Sequence, residues 1–253
     1  MRIAAFTCLL IALVAGSGNS RAAQRYDYCK MLNAKVVLFL VDRTDPYDDI
    51  DREIISSAAD KILRQIEPGD RLVIHTITDD FATSQKLFDE CDPGCPEAGF
   101  LDELMGTCKE AIVRRDAVSF REEYARAFLP IVRDPEDHKG SAIIATLSTL
   151  SRQYSDVGIS RVIVFSDLVE NSNLGNFLKM SKAQFEQLRA TIKKLGMIAR
   201  LDGAAVKVFG FGRTQGANRK GLTPEINSRM EAFWRAYFID SGASAIEINQ
   251  RYE

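Results

Sequence analysis

The chain has little that would tie it to nucleic acid, to a bilayer interior or to nucleophilic catalysis. Lysine and arginine number 33 against 35 acidic residues, a formal charge of −2. The basic residues are dispersed among acids and form no stripe, which excludes a polyanion partner. Beyond the amino-terminal segment, no apolar stretch approaches the roughly 20 residues a spanning helix needs. There is no Gly-x-Gly-x-x-Gly and no Gly-Lys-Ser/Thr. The glycine-bearing run from Phe209 to Gly216 reads as a strand-end loop, with Arg213, Arg219 and Lys220 bordering whatever lies beyond the strands. Histidine occurs only as His75, inside a strand pattern, and His138, in a polar loop. Ser166 lacks a nucleophile elbow, so a serine hydrolase is unsupported. Repeats and low-complexity tracts are absent.

What is present begins with an export signal. Arg2 supplies a positive charge, Ile3 to Ala15 is almost continuously apolar, and Arg21-Ala22-Ala23-Gln24 offers small residues for cleavage. The expectation is a signal peptide over residues 1–23 and one domain over residues 24–253, exported to a Gram-negative periplasm or else secreted, with no membrane span after cleavage. With 46% apolar and 27% charged residues, the remainder can bury a core. Cys8 lies in the leader. Cys29, Cys91, Cys95 and Cys108 remain, an even number that reads as two disulfides with three possible pairings. A zinc site is the competing reading, but Asp92-Pro93-Gly94 fills the only short gap and no compact cysteine pair follows.

Strand and helix patterns alternate, the signature of a mostly parallel, doubly wound α/β sheet. Lys35 to Val41 is a buried central strand. Tyr47 to Ile66 is a helix with Ile50, Ile54, Ala58, Ile62 and Ile66 on one face. Arg71 to Thr78 is a strand, and Phe81 to Phe88 a short edge strand or hairpin partner. Residues 89–108 break the rhythm with Cys, Pro and Gly, as a disulfide-braced insertion would. Helices follow at Lys109 to Leu129, Ser141 to Tyr154, Lys182 to Leu195 and Thr223 to Phe238; strands at Arg161 to Ser166, Ala204 to Gly210 and Ala243 to Ile248. Trp234, with Phe233, Tyr237 and Phe238, packs the last helix.

Three segments fall beyond carboxyl ends of strands or open a helix, where α/β sheets carry their sites. They are Asp42-Arg43-Thr44-Asp45-Pro46, Gly140-Ser141-Ala142-Ile143, and Ser166-Asp167. Their carboxylates and hydroxyls make an oxygen-only set, suited to Mg²⁺, Ca²⁺ or Mn²⁺ and unsuited to zinc or copper. Asp48, Asp49 and Asp51 read as an acidic first helical turn, with an outer-sphere role as the alternative.

These residues resemble the metal-ion-dependent adhesion site of the von Willebrand factor A (VWA) family, which has an Asp-x-Ser-x-Ser segment after its first strand, a Thr before a later helix and an Asp after its fourth strand. Asp42 and Thr44 match the first two positions, Ser141 the Thr, and Asp167 the final carboxylate. Pro46 departs from the pattern, because proline offers no hydroxyl; Asp45 or water would have to substitute. The resemblance implies a non-enzymatic protein-interaction module. Asp42, Thr44, Ser141 and Asp167 would hold a divalent cation whose open position takes a carboxylate from a protein partner. Two other readings stand beside it. Asp42 after a strand also resembles the start of a haloacid dehalogenase phosphohydrolase, although Thr44 replaces that family's second Asp. The third is a metal-free scaffold that mediates assembly.

Overall fold

The computed structural model describes residues 26–44, 46–96, 108–133, 138, 140–213 and 222–252. Strand β1 (Val36–Asp42) is entirely buried and lies in the middle of a six-stranded sheet. Its alternation divides the core. Val36, Leu38 and Leu40 pack on one face, while Val37, Phe39 and Val41 pack on the other. This two-sided burial is why the strand reads as one apolar run. β2 (Arg71–Ile77) and β4 (Ile159–Phe165) flank it in parallel. β3 (Lys86–Cys91) forms one edge, antiparallel to β2. β7 (Ala205–Phe209) and β8 (Ala245–Ile248) complete the other side, also in parallel. A two-stranded hairpin, β5 (Asn171–Ser172) with β6 (Gly175–Asn176), stands apart from the sheet.

Helices α2 (Asp49–Gln65) and α3 (Glu110–Arg133) cover the Phe39 face. Helices α4 (Ile143–Gln153), α5 (Lys182–Lys194) and α6 (Pro224–Asp240) cover the Leu38 face. A short turn of helix, α1 (Tyr28–Met31), precedes β1. The expected doubly wound sheet is therefore present.

Several boundaries differ from expectation. The edge strand begins at Lys86 and runs to Cys91, not from Phe81 to Phe88. Thr78, Thr83 and Ser84 direct their hydroxyls onto the carbonyl of Asp80, and such local bonds hold the chain in a turn where a ladder would otherwise start. Residues 89–91 therefore belong to the sheet, and the expected insertion begins after them. Ile50 does not join its helix's apolar face. It is 49% exposed, while Ile54, Ile55, Ala58, Ala59 and Ile62 are buried. α3 continues through Pro130 to Arg133; the proline has no N–H for the carbonyl four residues earlier, so the helix runs on without that one bond. The two disulfides join Cys29 to Cys91 and Cys95 to Cys108. The expected leader, residues 1–23, lies outside the described residues, as does the middle of the expected insertion. Among the described residues no helix is long and apolar enough to cross a membrane.

Candidate functional site

β1 ends level with both neighbours: Asp42 pairs with Ile77 of β2, and Val41 with Phe165 of β4. The chain leaves β1 toward β2 on one side, and β4 arrives on the other, so the strand order reverses between β1 and β4. An open α/β sheet forms its crevice at such a switch point.

Asp42 sits at the floor of this crevice, 1% exposed, with both carboxylate oxygens engaged. Thr44 donates to Oδ1 from its hydroxyl at 2.9 Å and from its backbone N–H at 3.3 Å. Ser141 and Ser166 donate their hydroxyls to Oδ2 at 3.0 Å and 2.6 Å. Burial pushes the Asp42 carboxyl above the usual range, and the bonds from Ser166, Thr44 and Ser141 pull the other way. Each hydroxyl that donates inward turns its lone pairs elsewhere. The backbone carbonyl of Asp42 accepts from the Tyr47 hydroxyl, and that ring packs edge-on against Phe165.

Arg43 points away from the crevice. It is buried, its N–H donates to Ile77, and its guanidinium reaches the carbonyl of Pro130 at 3.4 Å. Together with Arg52 on the carbonyl of Val132, it serves the acceptors left over at the carboxyl end of α3. Pro46 is exposed and contributes no donor. Asp45 lies outside the described residues.

The Ser141 segment is fastened to the loop after β4. Ser141 and Asn171 exchange two backbone bonds at 3.0 Å, and Ala142 N–H donates to Thr78. This close approach explains Gly140, since a Cβ there would stand 2.3 Å from the Asn171 carbonyl oxygen. In the loop after β4, Ser166 Oγ also accepts from Leu168 N–H, and Asp167 Oδ1 accepts from Val169 N–H. Asp167 is half-buried. Leu168 is buried with φ at +61°, a region that side-chain-bearing residues avoid. Its carbonyl is held by the Trp234 indole at 2.9 Å and by Glu170 N–H at 3.1 Å.

Of the residues singled out in the sequence, Asp42, Thr44 and Ser141 meet directly, and Asp167 follows Ser166 at the same edge. Ser166, named with Asp167 as one segment but not expected as a ligand, donates directly to Asp42, and Glu170 was missed. Glu170 is fully buried, three positions past Asp167, and burial raises its carboxyl to about 7. Nothing in the sequence around it signals burial, because an acid beside an asparagine reads as solvated loop. Neither Asp42 nor Glu170 has a lysine, arginine or histidine partner among the described residues.

Other candidates settle into structural roles. Asp48 caps α2 in a reciprocal capping box with Asp51, and Arg213 pairs with Asp51 at 3.3 Å. Arg219 and Lys220 lie outside the described residues. His75 is buried and stacked on Phe81. His138 stands at the rim, its N–H on the Thr44 carbonyl and Nδ1 3.4 Å from Asp79 Oδ1. Among the described residues no three acidic, imidazole or thiol side chains gather as a metal-binding group. The set at Asp42 is built largely of hydroxyls.

No protein-family model and no curated protein matches the chain. Among solved structures it is similar to the crystal structure of the SpRpn10 VWA domain, at 11% identity and a TM-score of 0.43, over 87% of this chain and 90% of that one. It is also similar to the conserved hypothetical protein BatB from Bacteroides thetaiotaomicron, at 14% identity and a TM-score of 0.39, over 87% and 91%.

Proposed function

We propose that this chain is an exported, non-enzymatic protein-interaction module whose crevice holds a divalent cation, Mg²⁺, Mn²⁺ or Ca²⁺, and takes a carboxylate of a protein partner onto it. The observation that carries this reading is the convergence of three hydroxyls, from Thr44, Ser141 and Ser166, on one desolvated carboxylate that has no cationic neighbour among the described residues. Burying an uncompensated carboxylate costs several kcal/mol. A bound cation offsets that cost.

The donor chemistry fits a hard cation. Thr44 and Ser141 would bind through hydroxyl oxygens whose protons are directed to Asp42, and Asp167 would add a carboxylate. Asp42 would act from behind, fixing the hydroxyls and supplying charge. Ser166, with Leu168 N–H on its oxygen and 0% exposed, braces Asp42. When bound, the cation supplies an electrophilic point for an incoming carboxylate. Pro46 leaves the set one hydroxyl short of the VWA pattern, so a weaker site is expected than a full Asp-x-Ser-x-Ser segment gives.

The phosphohydrolase reading requires Asp42 to reach a phosphorus atom, and a carboxylate that is 1% exposed with both oxygens engaged is poorly placed for attack. Export is supported by the two disulfides, which persist in oxidising compartments.

The decisive experiment is calorimetric titration of the chelator-treated protein with Mn²⁺ and Mg²⁺, followed by affinity capture from native extract with and without chelator. The reading expects saturable uptake abolished by Asp42→Ala, and a partner retained only with metal. Absence of uptake in the unaltered chain, or turnover of an aryl phosphate, would overturn it.

A further inference from the structure

We infer that Glu170 is a positioning residue for the crevice, setting the Ser141 hydroxyl against Asp42 by closing the open end of α4 from the neighbouring loop. The inference rests on the cation reading proposed above.

The first N–H groups of a helix have no partners within it and normally receive a side-chain cap from the residue just before. Before α4 that residue is Ala142, whose methyl group accepts no hydrogen bond. Glu170 takes the role from the loop after β4. Its Oε2 accepts from Ile144 N–H at 3.0 Å, and Ile143 N–H is directed at the same carboxylate. Its Oε1 accepts from the Ser172 hydroxyl at 2.5 Å. The backbone of Glu170 is pinned as well, its N–H on Leu168 and its carbonyl taking Phe177 N–H.

The next residue, Asn171, exchanges both backbone bonds with Ser141. Consecutive residues of one loop therefore grip positions 141, 143 and 144 of the other. Ser141 is the ligand candidate whose hydroxyl must meet Asp42 Oδ2, and it stands within this bracket. A fully buried carboxylate without an ion-pair partner is costly, and the positive end of α4 is what compensates it here.

Two substitutions separate reach from charge. Glu170→Gln keeps the reach: its amide oxygen accepts from the same N–H groups and its amino group donates to Ser172. Glu170→Asp keeps the charge but is one methylene shorter. Mn²⁺ titration of the full chain should find Gln within about threefold of the unaltered protein and Asp weaker by about tenfold or more, the scale at which a lost outer-shell partner acts. Amide exchange should quicken at Ile143, Ile144 and Asn171 in the Asp variant only. Unchanged affinity and exchange for Asp would overturn the inference, and so would Gln binding as poorly as Asp. If the unaltered chain takes up no Mn²⁺, the cation reading falls, and the exchange comparison alone decides the positioning role.

Discussion

The indole Nε1 of Trp234, in the middle of α6, donates to the carbonyl oxygen of Leu168 at 2.9 Å, joining two residues 66 positions apart. Leu168 occupies a left-handed conformation between Asp167 and Glu170. The last helix thus fastens the loop that carries half of the crevice.

Trp234→Phe keeps most of the apolar contact with Phe177 and Phe238 and removes the donor. Leaving a buried carbonyl short of a partner costs about 1–3 kcal/mol. Denaturant unfolding should show a loss of that size, and amide exchange in the loop from Ser166 to Ser172 should rise. An unchanged midpoint would show that Glu170 N–H alone satisfies Leu168.

Ser166→Ala should destabilise the fold by about 1–3 kcal/mol as well, since it strips one donor from Asp42 Oδ2 and the acceptor from Leu168 N–H. It should also raise the Asp42 carboxyl further. Chemical unfolding and the carboxyl ¹³C shift of Asp42 read these separately.

Much of this architecture was legible in the residues. The continuous apolar strand Val36–Asp42, the punctuation at Pro68-Gly69 and the Thr223-Pro224 helix start each carry their signal locally, and Asp42, Thr44 and Ser141 follow from position relative to those elements. Disulfide pairing was open because four cysteines constrain no partner choice. The bracing role of Ser166 and the whole part played by Glu170 were invisible for another reason. Their roles are created by strands β1 and β4 becoming neighbours, a relation with no local trace.

Gly140→Ala tests the close approach beside Ser141. A methyl group placed 2.3 Å from a carbonyl oxygen forces the two loops apart, and the Ser141–Asn171 pair should break. The expected result is a loss of several kcal/mol by thermal or chemical unfolding, near the upper range for point substitutions at about 4 kcal/mol. Mn²⁺ uptake should be lost with it.

The acidity of Glu170 gives a pH dependence of definite sign. Its carboxyl is raised to about 7 from an ordinary 4.5, so the folded chain holds the proton where the unfolded chain has released it. Stability from this group is present below pH 4.5 and falls as pH rises toward 7, by on the order of 3 kcal/mol. Burial lowers the His75 imidazole, which acts with the opposite slope below 6.5. That contribution cancels when the unaltered chain is compared with Glu170→Gln in chelator. The difference between their unfolding free energies should slope between pH 4.5 and 7 and be flat above; a flat difference throughout would mean that Glu170 is ionised at all these values.

The Cys29–Cys91 bridge has an orientational consequence. Cys91 pairs with Arg71, where β2 begins, so the bridge lies at the pole of the sheet opposite Asp42. Helix α1, which carries Cys29, is therefore locked covalently to the base of the domain. Among the described residues, the one covalent clamp on the opening of the domain thus acts at the end of the strands farthest from the crevice, and leaves the loops around Asp42 to be held by hydrogen bonds alone.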